Sequence, residues 1–494
     1  MSFLVFRLVA LEEVVSALDF SSSNVWSFVL LFVVLFIGIM LAHIIKNNVP
    51  FMKKSLMPAS VLGGIIILIF CTIWKLITHE TFFNLNIFSI VKTTADGVSS
   101  AQTGSDILQI VTYHCLGIGF VAMGLKINRK NESKVKPNEV FNTGVITVST
   151  YLLQAMFGIV VTLIAATLVT GLLPGAGSLL CLGFGQGTGQ ALTWGTNFQN
   201  DDGFVGGSYF GLSIAALGFL AASIGGVIYL NYLRRRNRLT SRIEVNNISI
   251  DDVQTENDIP LTGSIDKFTI QVALVLICYT GSYLLMLLLG KIIPGMKSTI
   301  YGFNFLLGIL FAVLLKTVLK FLHDKNVIKK EYLNNFMLNR VAGVAFDVMI
   351  VAGIAVIDLE LIKDYWLVLI ILAIVGTVVT FVYNKYVIRF LFKDYENEQF
   401  FAMYGMLTGT ASTGMILLRE IDPNFESPAA DNLVYQNLPA IIFGFPIMLL
   451  FKIINTKTVM VLFIIIGFFL VLQVILFRNQ IFRRRKKVNA TQTK

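Results

Sequence analysis

The chain has 494 residues, of which 55% are hydrophobic and only 14% charged, and its mean hydropathy is +0.76. Soluble domains carry about a quarter of their residues as charges, so this composition excludes a protein whose main solvent is water. The net charge of +10 does not point to nucleic acid. The basic residues stand in short loops beside apolar runs and in the tail Arg483-Arg484-Arg485-Lys486-Lys487, as in cytoplasmic membrane loops that meet anionic headgroups.

In chain order, residues 1–24 are expected to lie outside, without the basic region before an apolar core that marks a cleaved leader. Residues 25–233 form a first transmembrane repeat. Its spans are predicted at 25–45, 56–74, 107–125, 145–169 and 204–233, with a glycine-rich stretch at 172–198. Residues 234–267 are rich in Asn, Asp, Ser and Thr and read as a solvated cytoplasmic linker. Residues 268–455 form a second repeat, with spans at 268–290, 301–319, 341–357, 365–383 and 433–451 and a second glycine-rich stretch at 400–420. An eleventh span, 459–477, and a basic cytoplasmic tail fill 456–494. Cys71, Cys115, Cys181 and Cys278 fall in or beside apolar runs without ligand spacing and read as packing residues.

Loop charges orient the chain. Lys46/Lys53/Lys54, Lys126/Arg129/Lys130/Lys134/Lys136, Arg234/Arg235/Arg236/Arg238/Arg242, Lys320/Lys325/Lys329/Lys330 and Lys385/Arg389/Lys393 mark inner loops, whereas 358–364 is acidic. Lys291 and Lys297 fall in a predicted outer loop, against the trend. This pattern puts the N-terminus outside and the C-terminus inside only if each glycine-rich stretch enters and leaves on the same side. The expected fold is therefore an all-α polytopic membrane protein: two inverted-topology repeats of five transmembrane helices, each with a glycine-rich re-entrant loop, plus one extra C-terminal transmembrane helix. Such repeats suit alternating access.

The first stretch contains Gly183-Phe184-Gly185-Gln186-Gly187-Thr188-Gly189-Gln190-Ala191. Alternating glycines resist a continuous helix, and broken backbone at membrane depth survives only where protein buries it or it lines a wet cavity. Its N–H groups suit a carboxylate and its carbonyls suit Na⁺. The second stretch, Gly405-Met406-Leu407-Thr408-Gly409-Thr410-Ala411-Ser412-Thr413-Gly414, follows the same logic at the equivalent place. Close helix packing through small residues is the alternative reading.

These two motifs resemble those of the bacterial glutamate:sodium symporters, and the resemblance extends from residue 25 to about 451. That family commonly has Gly-His-Gly-Thr in the first loop; here Gln186 takes the histidine position, and Gln190 is also unusual. The resemblance implies glutamate as substrate, a bacterial inner membrane and a homodimer with a moving transport domain in each subunit.

Other membrane-embedded polar residues are further candidates. Asp347 is a candidate Na⁺ ligand or ammonium partner, or a structural partner of Arg340. Arg419 is placed to grip a substrate carboxylate, or to mark the inner edge of the loop. His114 reads as packed and neutral, with proton coupling as the alternative. Gln436 and Asn437 precede Pro439, which frees backbone carbonyls one turn earlier; they complete an ion site or bond between helices. Asn142 and Gln154 are lesser polar positions.

The substrate is thus expected at Gly185, Gln186, Gly187, Thr188, Gly189, Gln190, Gly409, Thr410, Ser412, Thr413, Gly414 and Arg419. Na⁺, with H⁺ as the alternative coupling ion, is expected at Thr188, Asp347, Thr410, Ser412, Gln436 and Asn437. No organic cofactor is implied. With no HExxH or GxSxG motif, an intramembrane enzyme is disfavoured, and paired repeats suit a carrier better than a passive channel.

Overall fold

The computed structural model describes residues 23–478, except 51, 53–55, 94–98, 128–135, 237–265, 295–296, 329 and 423–426. Most of the proposed linker, much of the basic-loop charge and the basic tail lie outside the described residues. The described chain is almost entirely helical. In order it contains α1 (Ser23–Asn48), α2 (Ala59–Thr78), a small antiparallel hairpin of β1 (Ile90–Thr93) and β2 (Ser99–Gln102), α3 (Gly104–Gly124) and α4 (Pro137–Ala165). Next come α5 (Leu179–Gln186), α6 (Thr188–Asp202), α7 (Gly207–Arg235), α8 (Lys267–Ile292), α9 (Lys297–Gly302), α10 (Asn304–Asp324) and α11 (Asn335–Ala355). The chain closes with α12 (Trp366–Leu391), α13 (Glu396–Thr408), α14 (Ala411–Arg419), α15 (Ala429–Tyr435), α16 (Asn437–Phe451) and α17 (Thr458–Leu476).

Ten of these helices are long and apolar enough to cross a membrane, and the bent pair α15/α16 makes an eleventh if counted as one span. They fall at the positions read from the sequence. The tenth expected span is not straight: α15 and α16 meet at 46°. Pro439 lacks an N–H and its ring crowds the carbonyl one turn earlier, so the helix gives way at Gln436.

Helix starts are set by local chemistry. Thr103 and Asp106 form a capping box at α3, the Asp266 side chain accepts from Thr269 N at α8, and Asn334 accepts from Met337 N at α11. The far end of α3 is held by Lys316, whose Nζ donates to the carbonyls of Gly124 and Lys126 at 3.1 and 3.0 Å, complementing the negative end of the helix dipole.

Around a buried apolar core, the outer helices also expose apolar side chains. α1 exposes Phe28, Phe36 and Met40, and α17 exposes Phe463 and Leu470, as suits a lipid solvent. In contrast α4 buries Thr143, Thr147, Ser149, Thr150, Gln154 and Thr162. Small residues let the inner helices approach: methyl groups on Gly195 and Gly211 would collide with the carbonyl oxygens of Gly207 and Ala191 across the α6–α7 contact.

Candidate functional site

Each glycine-rich segment is broken into two helices, and the two breaks meet. α5 ends at Gln186 and α6 begins at Thr188; Gly187 between them has φ +81° and ψ −170°, which side chains other than hydrogen adopt only under strain. α13 ends at Thr408 and α14 begins at Ala411. A methyl group on Gly187 would stand 3.1 Å from Thr410 Cγ2 and 3.8 Å from the Gly409 carbonyl oxygen. One on Gly409 would lie 3.2 Å from the Phe219 ring.

Phe219 lies near the middle of α7, which touches the body of α6 at one end and the outer end of the second pair at the other. Gly207 packs on Gly195 of α6, and Arg234 pairs with Glu420 just past α14 at 3.3 Å. The pairs therefore approach from opposite ends of α7 and touch near its centre. Two helices, α6 and α14, begin at this junction, neither with a side-chain cap. Their first N–H groups lack intrahelical partners and carry the positive ends of the dipoles, an environment that favours anions.

A cavity of about 140 Å³ lies beside the junction, roughly ten times the space that admits one water. Thr147, Tyr151, Gln186, Thr410, Ser412, Gln436 and Asn437 form its polar side. The rest of its wall is largely apolar and includes Leu116 and Phe120 of α3, Phe305 of α10, Phe346 and Met349 of α11, and Phe445 and Phe451 of α16. Among the described residues no Asp, Glu, His, Lys or Arg lines it.

The polar side is partly fixed and partly open. The Tyr151 hydroxyl donates to the Gly185 carbonyl at 3.0 Å, and a methyl at Gly185 would collide with the Tyr151 ring. Gln436 Nε2 donates to Asn437 Oδ1 at 3.2 Å, and Asn437 Nδ2 to the Val434 carbonyl at 3.0 Å. Gln436 Oε1 is buried without a partner. Thr410 and Thr413 hydroxyls are 3.4 Å apart.

The other sequence-derived residues divide. Thr188 is fully buried with its Oγ1 3.4 Å from the Met349 carbonyl oxygen, Gly189 packs against Leu116, and Gly414 packs against the Ala402 carbonyl. Gln190 is buried with neither amide atom partnered. These surround the junction without lining the cavity. Asp347 and Arg419 are not brought to it. Asp347 is exposed on α11, although its neighbours Phe346 and Met349 do line the cavity: a helix turns successive side chains by 100°, so adjacency in sequence does not share a face. Arg419 is exposed at the far end of α14, roughly 12 Å from the junction at 1.5 Å rise per residue. His114 contacts the Tyr279 hydroxyl at 2.7 Å.

On α4, sequence reading singled out only Asn142 and Gln154, as lesser polar positions, and missed Thr147 and Tyr151, which line the cavity. Glu139, Thr143, Thr147, Thr150 and Gln154 recur at helical spacing, and that polar periodicity within an apolar run was the available signal. Toward one end of this stripe Thr143 Oγ1 accepts from Gln399 Nε2 at 3.3 Å, Gln399 Oε1 from Asn432 Nδ2 at 3.1 Å, and Glu139 Oε2 from the Tyr395 hydroxyl at 2.7 Å. Burial, then the Glu139 carboxylate, push the Tyr395 hydroxyl pKa up.

The sodium/glutamate symporter family model matches residues 22–426. The chain belongs to the sodium/glutamate symporter family. It is accordingly a membrane transporter. The match holds both breaks and ends before α15, short of the expected limit near 451, so Gln436, Asn437 and α17 lie beyond it. No curated protein matches the chain.

Proposed function

We propose that this transporter is a sodium-coupled symporter of glutamate or a similar small anionic solute, working by alternating access. The observation that carries this reading is the meeting of two uncapped helix N-termini, α6 and α14, beside a cavity without charged side chains. Substrate carboxylates lie against the N–H groups at these two starts. Gln186, Gln436 and Asn437 orient the rest of the solute. Na⁺ uses hydroxyl and carbonyl oxygens at the junction, with Thr188, Thr410 and Ser412 as the nearest side chains. Carrying anion and cation together lowers the cost of placing charge in a low-dielectric centre.

In this reading the two halves are inverted repeats whose broken pairs are re-entrant loops from opposite sides. The N-terminus is outside, the basic loops and C-terminus are cytoplasmic, and the protein works as a homodimer in a bacterial inner membrane. The apolar wall favours a second reading, a carboxylate or amino acid with a larger apolar body. Because no carboxylate or imidazole lines the cavity among the described residues, Na⁺ is preferred to H⁺.

Uptake of labelled glutamate into proteoliposomes tests the proposal. Accumulation above equilibrium that collapses with the inward Na⁺ gradient supports it. Folded, inserted protein that takes up no glutamate, but accumulates another carboxylate or amino acid, establishes the second reading.

A further inference from the structure

Two side-chain amides beneath the second break have placed their donors and left their oxygens empty. Gln154 of α4 is fully buried, and its Nε2 donates to Thr380 Oγ1 at 2.7 Å and to the Leu407 carbonyl at 2.8 Å. Asn384 of α12, equally buried, donates from Nδ2 to Thr150 Oγ1 at 3.2 Å and to the Thr380 carbonyl at 2.9 Å. Gln154 Oε1 and Asn384 Oδ1 have no partner. Thr150 and Gln154 are one turn apart on α4, as are Thr380 and Asn384 on α12, so the four form one cluster across the α4–α12 contact.

The cluster is rich in acceptors and poor in positive charge. Leu407 lies in the last turn of α13, where carbonyls lack intrahelical partners and carry the negative end of the dipole. A buried polar oxygen is costly to leave unmet and calls for an unseen partner. Amide nitrogen and oxygen exchange places by a half-turn. After the half-turn Oε1 and Oδ1 would take the NH₂ positions beside the Thr380, Leu407 and Thr150 oxygens, an array of oxygens that calls for a cation among them.

We propose that Thr150, Gln154, Thr380, Asn384 and the Leu407 carbonyl form a binding site for a small monovalent cation, separate from the cavity. An all-oxygen donor set suits a hard cation, and the absence of a carboxylate suits one charge rather than two. None of the five residues lines the cavity. Occupancy would fix the turn that leads through Thr408 to the Gly409 break, and so the start of α14. The site rests on the symport reading only for the identity of the ion, Na⁺.

Thermal unfolding of the purified full chain, titrated with NaCl against choline chloride at constant ionic strength without substrate, tests the site. The wild-type midpoint should rise saturably with Na⁺. Gln154→Leu and Asn384→Leu should each raise the half-maximal Na⁺ concentration at least tenfold, while Gln154→Glu keeps a Na⁺ response because it keeps an oxygen. If a leucine variant does not fold, Thr380→Val against Thr380→Ser gives the same comparison, since only serine retains the hydroxyl. Equal half-maximal concentrations throughout would overturn the site and leave a water-filled hydrogen-bond cluster.

Glutamate uptake measured in parallel separates the two proposals. Sodium-driven uptake by wild type, with unshifted sodium responses in the variants, removes this site alone. A shifted response without glutamate uptake keeps the site and removes glutamate. Neither uptake nor a sodium response in wild type removes both.

Discussion

Gly187 and Thr410 face each other across the junction of two broken helix pairs, close enough that a methyl group on Gly187 would stand 3.1 Å from Thr410 Cγ2. The contact joins segments more than 200 residues apart in the chain. Holding a side chain at φ +81° costs about 1–3 kcal/mol, roughly a 5- to 150-fold loss of the correct junction. Gly187→Val should therefore abolish most uptake while membrane insertion is unchanged. Gly409→Val should do the same, because its Cβ would press on Thr413 Oγ1 at 3.0 Å and on Phe219 at 3.2 Å. Normal uptake per inserted molecule in both variants would sink the two-break site.

Gln436 offers the cavity a buried oxygen that no protein group satisfies. Replacing it with leucine removes that acceptor at similar volume. A net hydrogen bond is worth about 0.5–1.5 kcal/mol, so Gln436→Leu should raise the substrate KM about 2- to 12-fold. Uptake kinetics at saturating Na⁺ measure this directly. An unchanged KM would mean that the oxygen faces neither substrate nor ion.

The spans and both breaks were legible in the sequence because their physics is local: apolar runs of membrane length, glycines at alternate positions in the first stretch, and small and hydroxyl residues around Gly405, Gly409 and Gly414 in the second. The bend at Gln436 was half legible, since Pro439 announces a freed carbonyl but not a change of direction. What the sequence hid was rotation about each helix axis. Asp347 is flanked closely by cavity residues yet points elsewhere, while Thr147 and Tyr151, on a helix where only Asn142 and Gln154 were singled out, point in. The polar stripe of α4 was the available clue, because a buried helix keeps polar side chains only where partners meet them.

Arg419 separates the two levels of reading. By charge alone it is the natural partner of a carboxylate, but it lies one short helix away from the junction and is exposed. Arg419→Gln should leave the substrate KM within about threefold of wild type, as for a surface charge whose pair is worth about 0–1 kcal/mol. A KM increase of about a hundredfold would restore Arg419 as a substrate ligand and require α14 to move between states.

The C-terminal helix lies outside the family match but is tied to the site's own scaffold. Gln473 of α17 donates to Ser149 Oγ at 3.2 Å and to the Tyr383 hydroxyl at 3.0 Å, joining α4 and α12. Hydrogen bonds between membrane helices average about 0.6 kcal/mol and reach about 1.7. Gln473→Leu should destabilise the protein by about 1 kcal/mol, seen as a lower unfolding midpoint, with no change in substrate KM. If stability is unaffected, the Gln473 bonds do not hold α17 in place.

The end of the molecule where α2 meets the loop after α11 should respond to pH. Lys75 pairs at 2.8 Å with both Asp358 and Glu360. The hydrogen bond from Lys75, and then its charge, hold the Glu360 carboxyl below the usual glutamate range. A lowered folded-state pKa stabilises above the unfolded value and is lost as pH falls through the folded one. The tie should therefore be intact at neutral pH and weaken in acid. The unfolding midpoint of wild type should fall more between about pH 5 and pH 3 than that of Lys75→Gln, which has no tie to lose. Because the Glu360 side chain is 61% exposed, added salt should shrink the difference between the two proteins. A difference that persists in about 1 M salt would place its origin in a buried group rather than in this exposed tie.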